Sequence, residues 1–163
     1  MKEVLQNNRK PLAAIAIAVS LVTGIKVHES YRDSAYYPVK GDVPTIGYGT
    51  TRYPDGSSVK IGDKVTRKQA EELLTNDIQG FRKAMIDCIK VPLTVNEAEA
   101  YTSLTYNIGS SAFCKSTLVK KLNSYDYEGA CKEILKWNMF QGKPIKGLTI
   151  RREEEYKICI KQE

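Results

Sequence analysis

Two carboxylates and a hydroxyl lie close together in the stretch ESYRDSAYYPVKGDVPTIGYGT at residues 29–50. They belong to Glu29, Asp42 and Thr45. Cleavage of a glycosidic bond calls for such a set. One carboxyl protonates the leaving oxygen, and a second carboxylate activates a water or stabilises the sugar cation. A hydroxyl beside them can hold the water. Acidic residues near turns also serve as helix caps or as solvated charges, so the types alone leave both readings open.

The neighbouring residues say which elements must position this set. Glu29 ends a mostly apolar run and is expected in the first turns of a helix. Pro38, Gly41 and Pro44 break any helix, which leaves Asp42 on a loop. Thr45 opens TIGYGT, where β-branched and aromatic residues alternate with glycine as in a strand. Asp33 competes with Asp42. It lies four residues after Glu29 and would share its helix face, leaving no acid across the bond, so a surface or ion-pair role suits it better.

Further along, Tyr53-Pro54-Asp55-Gly56 is a turn between the 45–51 strand and a short one near 58–61. Thr66 and Gln69 form a capping box opening a helix over 67–88, with Glu71, Glu72 and Asp77 on its solvated face. Thr94 and Glu97 form a second box, and Gly109 stops that helix. Asn107, near its end, reads as a cap or a group facing the site. Ser116 or Thr117 caps a short helix through Leu122, and residues 127–137 form another. Its Trp137 reads as core in preference to a sugar-stacking ring. Thr149 is expected to cap the last helix, whose Glu153, Glu154 and Glu155 would then suit the helix dipole.

The 163 residues suit one domain with an adequate core, and a composition of 42% hydrophobic and 27% charged residues is ordinary for a globular protein. The formal charge of +6 favours anionic partners such as cell-wall polymers or membrane headgroups. No zinc-finger or helix-turn-helix pattern marks a nucleic-acid partner, and none is expected. Cys88, Cys114, Cys131 and Cys159 include no C-x-x-C pair, and His28 is the single histidine, which argues against a zinc site. Four spaced cysteines allow three disulfide connectivities. Cys88–Cys114 and Cys131–Cys159 are preferred because each joins the edges of neighbouring helices; four buried thiols in a cytosolic protein is the alternative.

Residues 12–25, LAAIAIAVSLVTGI, carry no charge, and seven of these fourteen are Ala, Gly, Ser or Thr. The segment is short of the roughly 20 residues of a membrane span. Lys2, Arg9 and Lys10 precede it, so the positive-inside rule keeps the N-terminus cytoplasmic and exports the rest. Three readings compete: a cleaved signal with a site near Val22-Thr23-Gly24, a buried helix of a cytosolic protein, and a weak uncleaved anchor that later leaves the bilayer. Cleavage at that site would leave Glu29 almost no helix in front of it.

The 29–50 stretch resembles the active-site segment of phage-type lysozymes, glycoside hydrolase family 24. The resemblance continues, in family order, through VPLTVNEAEAYTSLTYNIG at 91–109, AFCKSTLVKKLN at 112–123 and GLTIRREEEYKIC at 147–159. It implies an α+β, predominantly α, lysozyme-like fold, with a small antiparallel sheet lobe and a helical lobe joined by a long helix, and a cleft between them. It also implies hydrolysis of the β-1,4 bond between N-acetylmuramic acid and N-acetylglucosamine in peptidoglycan, without metal or organic cofactor, by a monomer. Glu29 becomes the expected general acid, Asp42 the base or ion stabiliser, and Thr45 the water holder. The chain departs from the family at one point: Pro38 stands at the usual Asp position, and Asp42 is the nearest acid after it, three residues before Thr45. An inactive wall-binding module and a lytic transglycosylase are the alternative functions. The N-terminus is similar to that of signal-anchor-release endolysins. This implies an anchor at residues 1–26 in the inner membrane, a catalytic domain at 27–163, and passage from the membrane's periplasmic face to the periplasm on release.

Overall fold

Both capping boxes open the helices assigned to them. Helix α2 (Arg67–Cys88) starts where the Thr66 hydroxyl accepts from the Gln69 amide at 3.1 Å and the Gln69 side chain accepts from the Thr66 amide at 2.8 Å. Helix α3 (Val95–Ile108) starts with the same reciprocal pair between Thr94 and Glu97. Each box supplies partners to amides that have none inside the helix, so a local signal sets the boundary.

The computed structural model describes residues 8–162. It divides into two units, Met1–Leu21 with Phe81–Glu163, and Val22–Gly80. Helix α1 (Val19–His28) and helix α2 each contribute residues to both.

The 22–80 unit holds a two-stranded antiparallel sheet of β1 (Arg32–Tyr36) and β2 (Thr45–Gly47). Arg32 pairs with Gly47 and Tyr36 with Thr45, so β1 carries extra residues across a bulge. Ile46, Val59 and Leu73 form the small core beneath. The expected second strand near 58–61 is reduced to a single bridge between Arg52 and Ser58. Gly47 has φ +65°, and a Cβ there would stand 3.1 Å from the Ala70 Cβ, so this position requires glycine.

The other unit is helical: the end of α2, then α3, α4 (Ser110–Cys114), α5 (Thr117–Asn123), α6 (Tyr127–Glu133) and α7 (Lys146–Cys159). Tyr101, Leu104, Phe113, Leu118, Leu122, Ala130 and Ile134 fill its core, with Trp137 packed at the edge. Ser116 caps α5 by accepting from the Val119 amide. Three expectations need correction. The 127–137 helix ends at Glu133 and tightens into a 3-10 turn, Ile134–Lys136. A short hairpin, β3 (Met139–Phe140) and β4 (Lys143–Pro144), stands where only a loop was expected. Helix α7 begins before Thr149, at Lys146, so Glu155 falls deep in the helix and its charge has no first-turn dipole to meet. It is buried instead, and takes a hydrogen bond from the Ser103 hydroxyl at 2.7 Å and an ion pair from Arg152 at 2.9 Å.

The two expected disulfides are present, Cys88–Cys114 and Cys131–Cys159. With loops of 26 and 28 residues, each removes enough unfolded-chain entropy to stabilise by about 3.5 kcal/mol.

Residues 12–25 are built into the fold. Leu12 and Ile15 belong to the helical unit's core, and Leu21 and Ile25, one turn apart on α1, are 2% and 0% exposed. Val19 and Val27 on its other side are 82% and 77% exposed. Among the described residues no helix is long and apolar enough to cross a membrane.

Candidate active site

Glu29, Asp42 and Thr45 all lie in the 22–80 unit, distributed around the β1–β2 hairpin. Glu29 follows α1 and is not in the first turns of a helix. Its amide donates to the Ile25 carbonyl at 2.9 Å, closing the last turn, and its side chain is half-buried. The mostly apolar run ahead of it carried no clear polar face from which to read where the helix begins. The inward pair Leu21 and Ile25 sets that helix instead. Three residues beyond Glu29 the chain enters β1, so Asp33 sits on a strand and is exposed.

Asp42 lies on the loop that joins β1 to β2. The loop folds back through a hydrogen bond from the Asp42 amide to the Val39 carbonyl at 3.0 Å and through Gly41 at φ +87°. The Asp42 carboxylate is exposed, and its Oδ1 accepts from the Val43 amide at 2.8 Å. Thr45 is 7% exposed and donates its hydroxyl proton to the Val43 carbonyl at 3.2 Å. With that proton committed, the Thr45 oxygen can act toward a water only as an acceptor.

A polar and aromatic frame surrounds the turn that carries Glu29. One turn before it, Lys26 Nζ lies 2.5 Å from Glu71 Oε1 and 5.5 Å from the Tyr48 ring centroid. The hydrogen bond between them raises the Lys26 pKa and lowers that of Glu71. Tyr31 packs tilted against Tyr48 at 5.5 Å, and the Arg67 guanidinium stands 4.3 Å over the Tyr31 ring. The Arg67 Nη1 donates to the Tyr48 hydroxyl at 3.3 Å. Sequence reasoning missed this frame, because Glu71 reads as solvated helix surface. The one available signal was the density of aromatic and basic residues beside TIGYGT.

Asp77 also departs from its expected place on a solvated face. It is half-buried, and its Oδ2 accepts the Thr50 hydroxyl at 2.6 Å. Burial pushes its pKa up from 3.8 to about 6, against the lowering effect of the Thr50 hydrogen bond. In the helical unit, Asn107 accepts from Arg152 Nη2 at 3.0 Å. Burial raises the Glu155 pKa in spite of Arg152, Ser103 and Arg151, each of which lowers it.

An acid at a helix end, a second acid on a hairpin loop and a buried hydroxyl at a strand start make a set suited to glycoside chemistry. Comparison with known proteins gives the family. Residues 26–155 match the protein family described as Phage lysozyme. An endolysin of Acyrthosiphon pisum secondary endosymbiont phage 1 is 44% identical over 80% of this chain and 88% of its own. A SAR-endolysin of Pseudomonas phage phiKMV is 37% identical over 93% and 92%. The endolysin from Escherichia coli O157:H7 phage FAHEc1 superposes with TM-score 0.77 at 38% identity, covering 90% of this chain and 94% of that one. By sequence and by fold, the chain belongs to the phage lysozyme family and is a glycoside hydrolase, a muramidase.

Proposed function

We propose that Glu29, Asp42 and Thr45 carry the hydrolysis of peptidoglycan glycan strands. The observation that supports this is their gathering around one hairpin, Glu29 before β1, Asp42 on the loop and Thr45 opening β2. Glu29 gives its proton to the glycosidic oxygen as the bond to the anomeric carbon breaks. A water attacks that carbon from the other face, losing a proton to Asp42 while its second hydrogen points at the Thr45 oxygen. In this reading Asp42 takes the part of the family's acid in spite of Pro38, on a loop that turns through Gly41 at φ +87° and the hydrogen bond from Asp42 to Val39.

The test is clearing of purified cell walls, with mass spectrometry of the fragments. Glu29→Gln should lose about 10²–10⁴ in rate with its fold retained, and Asp42→Asn a comparable factor. Reducing ends are expected. Full activity in Asp42→Asn would remove the second acid, and anhydro-sugar ends would make the enzyme a lytic transglycosylase.

The chain is also proposed to begin as a membrane-tethered precursor on the periplasmic face of the host inner membrane, held by residues 12–25 and active after release into the periplasm. The weakly apolar, uncharged 12–25 segment behind Arg9 and Lys10 supports this, as does likeness to a protein named SAR-endolysin. Fractionation of expressing cells should find the chain with membranes until an uncoupler is added, and soluble afterwards. A chain that is soluble from the start would defeat the tethering.

A further inference from the structure

Arg9 precedes the 12–25 segment, and in the tethered form it would stand on the cytoplasmic side. In the fold it is held in a socket of the helical unit. Its Nη2 lies 2.7 Å from Glu97 Oε1 and its Nε 3.1 Å from Oε2, a two-pronged pair. Both side chains are nearly buried, at 9% and 5% exposure. The guanidinium carbon also lies 3.6 Å from the centroid of the Tyr127 ring. Next to it, Lys10 and Leu93 exchange two backbone hydrogen bonds of 2.8 Å each.

The socket is built without Arg9. The Glu97 carboxylate is fixed by the Thr94 amide at 2.9 Å as part of the α3 capping box. The Tyr127 ring, at the first residue of α6, is fixed by its hydroxyl bond to the Pro92 carbonyl at 2.8 Å. Before release, then, an oriented carboxylate and an aromatic face would await a planar cation. Arg fits both at once, and Lys cannot, because it lacks the fork and the stacking plane.

We infer that the Thr94–Glu97–Tyr127 socket is a binding site for the chain's own Arg9, and that its occupation holds the released segment out of the membrane. This rests on the tethering proposed above. Apolar side chains give the segment little preference, since Leu12, Ile15, Leu21 and Ile25 exchange lipid for a protein core of similar polarity. The asymmetry comes from groups that a bilayer cannot satisfy. Arg9 can meet Glu97 only after residue 9 has crossed to the side that holds residues 93–127. Once there, return would strip a nearly buried ion pair, leave Glu97 without its cation and drag Arg9 back through hydrocarbon. The same arginine thus helps, with Lys2 and Lys10, to set the initial orientation and then makes release one-way.

The test uses the full-length chain as wild type, Arg9→Ala and Arg9→Lys. Hydrogen exchange on the soluble enzyme reads the latch through the Lys10 and Leu93 amides. Arg9→Ala should speed their exchange about a hundredfold or more, the lower end of what is expected for breaking a buried pair, and Arg9→Lys should fall between. Wall-clearing activity of the folded enzyme should be unchanged, since Arg9 is held by Glu97 and Tyr127 in the helical unit, whereas the proposed catalytic groups belong to the 22–80 unit. Fractionation after uncoupler treatment and washout reads the directional role. Wild type should stay soluble, and Arg9→Ala should return to the membrane fraction. Unchanged exchange in Arg9→Ala overturns the latch. Faster exchange with wild-type fractionation overturns its role in release. Wild type that is never found in membranes overturns the tethering, while the exchange result still decides whether the socket binds Arg9.

Discussion

Replacing Asp77 with asparagine should change the pH dependence of stability in a defined window. In the folded chain Asp77 titrates at about 6, whereas its unperturbed value is 3.8. Below pH 3.8 the carboxyl is protonated in both states and favours neither. Between pH 3.8 and about 6 the unfolded chain has released this proton and the folded chain retains it. The unfolded state binds fewer protons there, so stability falls as pH rises. Above about 6 both states are ionised and the deficit is constant. Taken at face value this is about 3 kcal/mol, but Asp77 is only half-buried, and solvent screening brings the expectation to about 1–2 kcal/mol. An asparagine keeps an oxygen for the Thr50 hydroxyl and carries no charge. The stability of Asp77→Asn relative to wild type should therefore climb by about 1–2 kcal/mol between pH 4 and 6, and stay level outside that range. In a chain of 163 residues this corresponds to about 3–6 °C in melting temperature. Urea unfolding from pH 3 to 8 measures it. Removing the hydroxyl with Thr50→Val deletes a hydrogen bond that favours the ionised acid, so the fall should extend to higher pH. A difference between Asp77→Asn and wild type that is flat with pH would refute the reasoning, as would one that shrinks as pH rises.

Other consequences are equally direct. Loss of the Cys131–Cys159 bridge in a double serine variant should cost about 3–4 kcal/mol for its 28-residue loop, read as a lower denaturation midpoint in urea. Gly47→Ala must accept φ +65° and a 3.1 Å approach to Ala70, and should destabilise by about 2 kcal/mol or more; a neutral result in the same assay would place the strain argument in error. Thr45→Val keeps the packing of a nearly buried side chain and deletes the proposed water acceptor. It should lower kcat for wall clearing by about 10–100-fold with stability close to wild type, and a full kcat would remove Thr45 from the mechanism.

Much of the fold was legible because its signals are local. Thr66 with Gln69 and Thr94 with Glu97 satisfy amides three residues away, so the starts of α2 and α3 follow from four letters each. The apolar stripe over 67–88 follows from helical geometry, and Gly41 and the two prolines around Asp42 announce a loop wherever the chain goes. The disulfide pairs were legible for a related reason, since each joins helices close in the chain. The proposed site residues were picked out as types, and the family likeness supplied the roles proposed for them.

What the tertiary structure decided concerns charges. Glu71, Asp77 and Glu155 look alike in the sequence, each an acid on a helix. One forms a half-buried ion pair with Lys26, one accepts a hydrogen bond from the Thr50 hydroxyl in a half-buried place, and one is enclosed among Ser103, Arg151 and Arg152. Helical periodicity gives an acid's face but not what arrives opposite, and desolvation depends on what arrives. Arg9 shows the distinction most clearly. In the sequence it is a basic residue before an apolar segment, and so a topology signal. Its partner Glu97 is 88 residues away and reads only as half of a capping box. Their pairing follows from a backbone bridge between Lys10 and Leu93 that no local pattern encodes, because a single pair of strand-like hydrogen bonds leaves no periodicity to read.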